Sequence, residues 1–158
     1  VVIIDTDVFL LEFAFHRDAR HRVNAEFLVS IRDREPAITI YNLMEILGQL
    51  SFNLSPDQLS QWRLWLQEAY GLAVIWPESE DQTAEQFFYS EMHRRPLAKM
   101  QTHRMAFLDA LIIGLAEQVT ATEGFITWNA RHFHDKTPLP VFTPSEFLEQ
   151  VTPSARTQ

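Results

Sequence analysis

At 158 residues the chain has the size of one domain, and a composition that is 46% hydrophobic and 12% aromatic points to a packed globular core. It contains no cysteine, which excludes disulfides and thiolate metal sites, and its longest apolar runs, around Val1 to Ile4 and Leu111 to Leu115, are too short to span a bilayer. No secretory pattern opens the sequence, so a cytoplasmic protein with no membrane contact is expected. The net charge of -8 argues against unaided non-specific binding to nucleic acid, although carboxylates gathered around a cation count as negative on paper while the filled site is close to neutral.

The chain opens with Val1-Val2-Ile3-Ile4, a β-branched run without polar interruption that reads as a strand buried on both faces, and this strand ends on Asp5. Val8 to Phe15 is apolar enough for a short helix, and the charged stretch from His16 to Arg22 breaks it. Val23, Phe27, Leu28 and Ile31 recur at helical spacing and predict a second helix, closed before Pro36. Ala37 to Ile40 predicts a strand. The following helix carries Leu43, Ile46, Leu47 and Leu50, with Glu45 among them.

Ser55-Pro56-Asp57-Gln58 has the residues of a capping box, and Gly71 ends the helix it starts. Leu72 to Trp76 predicts a third strand. Ser79 and Gln82 suggest a further capped helix reaching about Met92, after which His93-Arg94-Arg95-Pro96 reads as a polar connection. A long helix then holds Met105, Leu108, Leu111, Ile112, Leu115 and Val119. Gly124 to Thr127 and Pro140 to Phe142 predict the last strands, and Thr143-Pro144-Ser145-Glu146 caps a terminal helix to Val151. Strands alternating with helices through compact loops predict a three-layer α/β/α sandwich with a mostly parallel sheet of about five strands. A single domain is expected over residues 1–151, with a flexible tail over 152–158.

Ligands in open α/β sheets bind outside the carboxyl ends of the strands, which places Asp5 where chemistry is usually done. A strand-capping aspartate without chemistry fits the same stretch. Glu45 lies in the early turns of the helix after the second strand, and it also shares a side with Tyr41 and Gln49, as a solvated residue would. Asp109 sits in the first turns of the long helix, where the macrodipole favours an acid whether or not it has a further role. Thr127 and Asn129 add a hydroxyl and an amide at the fourth strand's end, a position where both residue types also serve ordinary turns.

The opening Ile3-Ile4-Asp5-Thr6 followed by Val8, the Asn42-Leu43-x-Glu45-Ile46-Leu47 helix, the Asp109-Ala110-x-Ile112 helix and the Thr127-x-Asn129-x-Arg131-His132-Phe133 ending resemble the PIN domain family, including the VapC-type toxins of bacterial toxin–antitoxin pairs. The resemblance spans the whole chain and implies a PIN-like fold and a metal-dependent endoribonuclease, with Mg²⁺ or Mn²⁺ activating the water that attacks an RNA phosphodiester. It implies Asp5, Glu45 and Asp109 as metal ligands and Asn129 as a supporting ligand, with Thr127 among the catalytic residues. Asn129 departs from the pattern, since many members carry Asp there. For the toxin type it implies a small antitoxin partner and a homodimer.

Basic residues flank this set: His16, Arg17, Arg20, His21 and Arg22 form one cluster, and Arg94, Arg95, Lys99, His103 and Arg104 a second. Thr6, Arg94, Arg95, Lys99, Arg104 and Arg131 are candidates for contact with RNA, with solvated surface charge as the alternative. His132 and His134 alternate without a third zinc ligand. Two other functions fit parts of the sequence. Asp5-Thr6-Asp7-Val8 also resembles the first motif of haloacid dehalogenase phosphatases, which would make Asp5 a nucleophile and Asp7 a general acid. An inactive PIN-like module that binds RNA or protein is the other.

Overall fold

The computed structural model describes residues 1–79 and 81–151. The expected tail lies outside the described residues. Strands β1 (Val2–Ile4), β2 (Pro36–Thr39), β3 (Ala73–Ile75), β4 (Gly124–Ile126) and β5 (Val141–Phe142) form one sheet in the order β3-β2-β1-β4-β5, and every neighbouring pair is parallel. Parallel strands need crossover helices, and these cover both faces. Side chains of β1 alternate accordingly. Val2 and Ile4 face a core that includes Phe9, Phe27, Ile38 and Phe147, while Ile3 faces one built from Ile112, Ile113, Phe125 and Phe133. The β-branched opening is therefore fully buried, as its composition requires.

Helices α1 (Thr6–Ala14), α2 (His21–Ser30), α3 (Ile40–Leu50), α4 (Pro56–Tyr70) and α9 (Pro144–Val151) contribute to the first core. Helices α7 (Phe107–Ala116) and α8 (Ala130–Phe133) form the second. The capping box at Ser55 and Gln58 forms as read, and Gly71 closes α4 at φ 65°, a left-handed conformation that costs glycine little. None of the described helices is long and apolar enough to cross a membrane.

The structure departs from the sequence reading between β3 and β4. Ser79 and Gln82 form a turn, with Gln82 N donating to Ser79 O, and the cap is instead Thr83 with Gln86, opening α5 (Ala84–Tyr89). The stretch His93 to Pro96 is not a connection. The chain runs from α5 through a π-helical turn, Ser90–Arg94, directly into α6 (Arg95–His103), with Pro96 at the second position of α6. Arg104, at φ 50°, then ends α6, a separate helix, and the helix read from the apolar stripe is α7, shorter than expected. Met105 precedes α7 and Val119 follows it.

One buried amide ties the first layer to the edge where β4 ends. Asn24 on α2 has no exposed surface. Its Nδ2 donates to Val8 O at 3.0 Å and to Glu12 Oε2 at 3.1 Å, and its Oδ1 accepts from Trp128 Nε1 at 2.8 Å. Replacing it strands the indole N–H and the Val8 carbonyl. Asn24→Ala is expected to lower the unfolding free energy by about 1–3 kcal/mol, read from the urea midpoint at unchanged slope.

Candidate active site

The carboxyl ends of β1, β2 and β4 lie side by side, and each delivers a polar side chain to one place. Asp5 follows β1 and is the N-cap of α1, its Oδ1 accepting from Thr6 N at 2.8 Å. Thr39 ends β2 and caps α3 by accepting from Asn42 N at 3.1 Å. Thr127 follows β4. Asp5, Thr6, Thr39, Asn42 and Thr127 are all buried.

Asn42 is the hub on the β2 side. Its Oδ1 accepts from Thr39 Oγ1 at 2.6 Å, which fixes the amide so that Nδ2 donates to Asp5 Oδ1 at 2.9 Å and to Thr6 Oγ1 at 3.1 Å. The orientation of the amide follows from this network, because Thr39 and Asp5 demand opposite ends of it. Asn42 belongs to the motif that carried the family resemblance, but its role as the clamp on Asp5 is visible only in the structure.

Asp7 occupies the β4 side. Its Oδ2 accepts from Thr127 Oγ1 at 2.9 Å and from Asn129 N at 3.2 Å, and its Oδ1 accepts from Trp128 N at 3.1 Å. Sequence reasoning gave Asp7 a role only in the phosphatase alternative. The available signal was its spacing: an acid two positions after a helix-capping aspartate falls on the same first turn, so two carboxylates share one helix N-terminus.

The electrostatics of the pair are unfavourable without a counter-ion. Burial, the neighbouring charge of Asp7 and the charge of Glu45 push Asp5 up to about 8, against the opposing pull of the Thr127 hydroxyl and the Thr6 N–H. Asp7 is also raised, chiefly by desolvation, despite its donors and the attraction of Arg20. Both shifts report charge that the surroundings do not fully balance.

Asp109, in the first turn of α7, is taken up differently. His132 Nε2 lies 3.0 Å from its Oδ2, each side chain about one-third exposed, and the imidazole packs edge-on against Phe133. Among the described residues no three histidine or acidic side chains are grouped so as to hold a metal ion. The expected convergence of Asp5, Glu45 and Asp109 is therefore not made by these side chains as placed. What forms is the Asp5 and Asp7 pair, with Glu45 near enough to act on Asp5, while Asp109 is engaged by His132. Asn129 is exposed and reaches the site through its backbone, which bonds Asp7 and also Thr127 Oγ1.

The donor set still suits a hard divalent ion. Mg²⁺ keeps several waters and binds through one or two carboxylates plus substrate phosphate, so two desolvated carboxylates at an accessible edge meet its needs without a closed cage.

Several of the basic residues are already paired. Arg95 meets Glu91 at 3.0 Å, Arg94 donates to Ser90 Oγ, and Lys99 meets Glu117 at 2.6 Å. Lys99 is thus held between α6 and the residue that closes α7. Arg104 and Arg131 are exposed. In the first cluster, Arg20 forms a two-pronged pair with Asp18 and lies over the Trp128 ring, 5.4 Å from its centroid. His132 and His134 do not act as a pair, since His132 goes to Asp109 and His134 is exposed.

No protein-family model and no curated protein sequence matches the chain. Solved structures do. FitAcB from Neisseria gonorrhoeae aligns over 92% of this chain and 99% of its own at a TM-score of 0.61 and 14% identity. A toxin–antitoxin complex from Klebsiella pneumoniae aligns over 91% and 98% at 0.58 and 20% identity. VapBC2 from Rickettsia felis, bound to a DNA fragment from its promoter, aligns over 90% and 97% at 0.58 and 16% identity. The alignments cover nearly the whole of both chains, and with the all-parallel sheet they establish that this chain has a PIN-like α/β/α fold, shared with chains of these complexes.

Proposed function

We propose that the chain is a Mg²⁺- or Mn²⁺-dependent endoribonuclease and the toxin member of a VapBC-type toxin–antitoxin pair. The observation that carries the reading is the Asp5 and Asp7 pair, two carboxylates desolvated together at the carboxyl edge of a parallel sheet and both raised despite their donors and the attraction of Arg20 on Asp7. When bound, the metal would supply Lewis-acid activation of the attacking water and shielding of the phosphate oxygens. Asp5 and Asp7 are the ligands proposed from the geometry. Glu45 and Asp109 complete the ligand set implied by the family resemblance, with Asp109 released from His132, and the Asn129 amide supports it.

The remaining roles follow from the contacts. Asn42 fixes the Asp5 carboxylate through Oδ1, while Thr127 and the amides of Trp128 and Asn129 hold Asp7 in place. Such supporting bonds orient ligands and set their basicity. A phosphoryl-enzyme on Asp5 is disfavoured, because burial raises Asp5 rather than leaving it a free nucleophile. The antitoxin partner is supported by the complexes that share the fold and by large apolar side chains left exposed, among them Leu64, Trp65, Phe88 and Tyr89. A homodimer and a cytoplasmic location complete the reading.

Incubation with end-labelled single-stranded RNA in Mg²⁺ or Mn²⁺ is expected to give internal cleavage that chelator abolishes. Asp5→Asn and Asp7→Asn should each reduce the rate about 100-fold or more, the scale on which removing one preorganised electrostatic group acts. Thr127→Val should cost about 10-fold by loosening Asp7. Cleavage that survives both chelator and Asp5→Asn would refute the proposal.

The Asp5 shift sets the sign of a pH effect. Its pKa in the folded protein, about 8, lies above the unfolded value of 3.8, so between them the folded state binds the extra proton and stability falls as pH rises. The metal-free protein should therefore lose melting temperature from pH 5 to pH 8.5. Mg²⁺ should restore it increasingly toward the alkaline end, and Asp5→Asn should flatten the metal-free profile.

A further inference from the structure

We propose that the cleft between the end of α1 and the turn after β4 is a subsite for one unstacked base of single-stranded RNA. The inference rests on the nuclease reading and names what lies beside the reacting phosphate. The cleft has a volume of about 380 Å³, and Asp7 forms part of its lining, so an occupant sits next to the carboxylate pair. Leu10, Leu11 and Phe15 from the α1 side face Trp128 and Asn129 across it.

The lining has the parts that base recognition uses. Phe15 is 58% exposed at the C-cap of α1, a flat apolar ring kept in water. Stacking platforms of this kind bind bases of any identity because every base has a π-face. Trp128 is rigid: its indole N–H goes to Asn24, its backbone N–H to Asp7, and Arg20 covers its ring. Arg20 is itself fixed by Asp18, so the guanidinium plane is preorganised as a second stacking surface. The Asn129 side chain is exposed and carries one donor group and one acceptor, the pattern that meets a base edge.

A second cleft continues past Phe15, lined by His16, Arg17 and Asp18, where Arg17 can meet the next phosphate. Phe15 therefore lines both clefts, standing between one that holds Asp7 and one that holds Arg17. A duplex cannot use this arrangement, because its bases are paired and stacked, whereas single strands splay bases onto aromatic rings.

The test uses the full chain with Ca²⁺ in place of Mg²⁺, and a single-stranded RNA oligonucleotide carrying 2-aminopurine, compared with copies abasic at one position at a time. Quenching of 2-aminopurine reads stacking, and anisotropy reads affinity. One abasic position should weaken binding about tenfold, and Phe15→Ala should weaken the intact oligonucleotide similarly while removing sensitivity to that position. Phe15 is exposed, so its replacement leaves the core intact, which an unchanged melting temperature verifies. Equal binding of all abasic copies overturns the proposal, and so does base sensitivity that survives Phe15→Ala. The first result would assign the cleft to a protein side chain or to none. Metal-dependent cleavage without base sensitivity sinks this subsite alone. Base-dependent binding through Phe15 without any cleavage sinks the nuclease reading and leaves the subsite standing.

Discussion

Burial of the Asp5 and Asp7 carboxylates side by side is the constraint around which the rest of the edge is arranged. Placing two carboxylates out of water on one turn of helix is costly, and the fold offsets the cost with the N-terminus of α1, the Thr6 N–H and Asn42 amide on Asp5, and the Thr127 hydroxyl with two backbone amides on Asp7. Five donors and a helix dipole leave both groups raised. The imbalance has the sign and location that a divalent cation would correct, and no hydrogen bond can substitute for a whole positive charge.

The supporting groups are neutral for a physical reason. Asn24 and Asn42, both fully buried on helices, deliver donors and acceptors without adding or cancelling charge. A lysine in the place of Asn42 would neutralise Asp5 internally. Amides hold the carboxylate still and leave its charge intact. The same logic explains why Arg20 reaches Asp7 only as a distant attraction, its own partner being Asp18 and its plane resting on Trp128.

What the sequence reveals follows the range over which each signal acts. The β-branched opening, the Ser55 and Gln58 box and the Gly71 stop are local, and they form as read. The strand alternation fixes the layers, and from them the edge on which Asp5 and Thr127 meet. Less legible are features decided by contacts remote in sequence. The apolar stripe gives no sign that α7 stops at Ala116, short of Val119, and His93 to Pro96 looks like a loop until Glu91, buried and bonded to Tyr41 and Arg95, anchors the π-turn. Asp109 reads as a site acid from its helix position, yet its partner His132 comes from the far side of β4.

Asn129 is better understood through Asp7 than as the loss of an acid. The backbone of residue 129 already serves Asp7 Oδ2, so the carboxylate associated with the end of β4 is supplied from position 7 rather than from position 129. An aspartate at 129 would bring another negative charge toward a group whose ionisation burial already opposes, raising Asp7 further. An amide avoids that repulsion and keeps a polar head at the mouth of the cleft. The departure from the family pattern and the acid at position 7 are thus one electrostatic arrangement, in which charge sits on α1, where the helix N-terminus favours it.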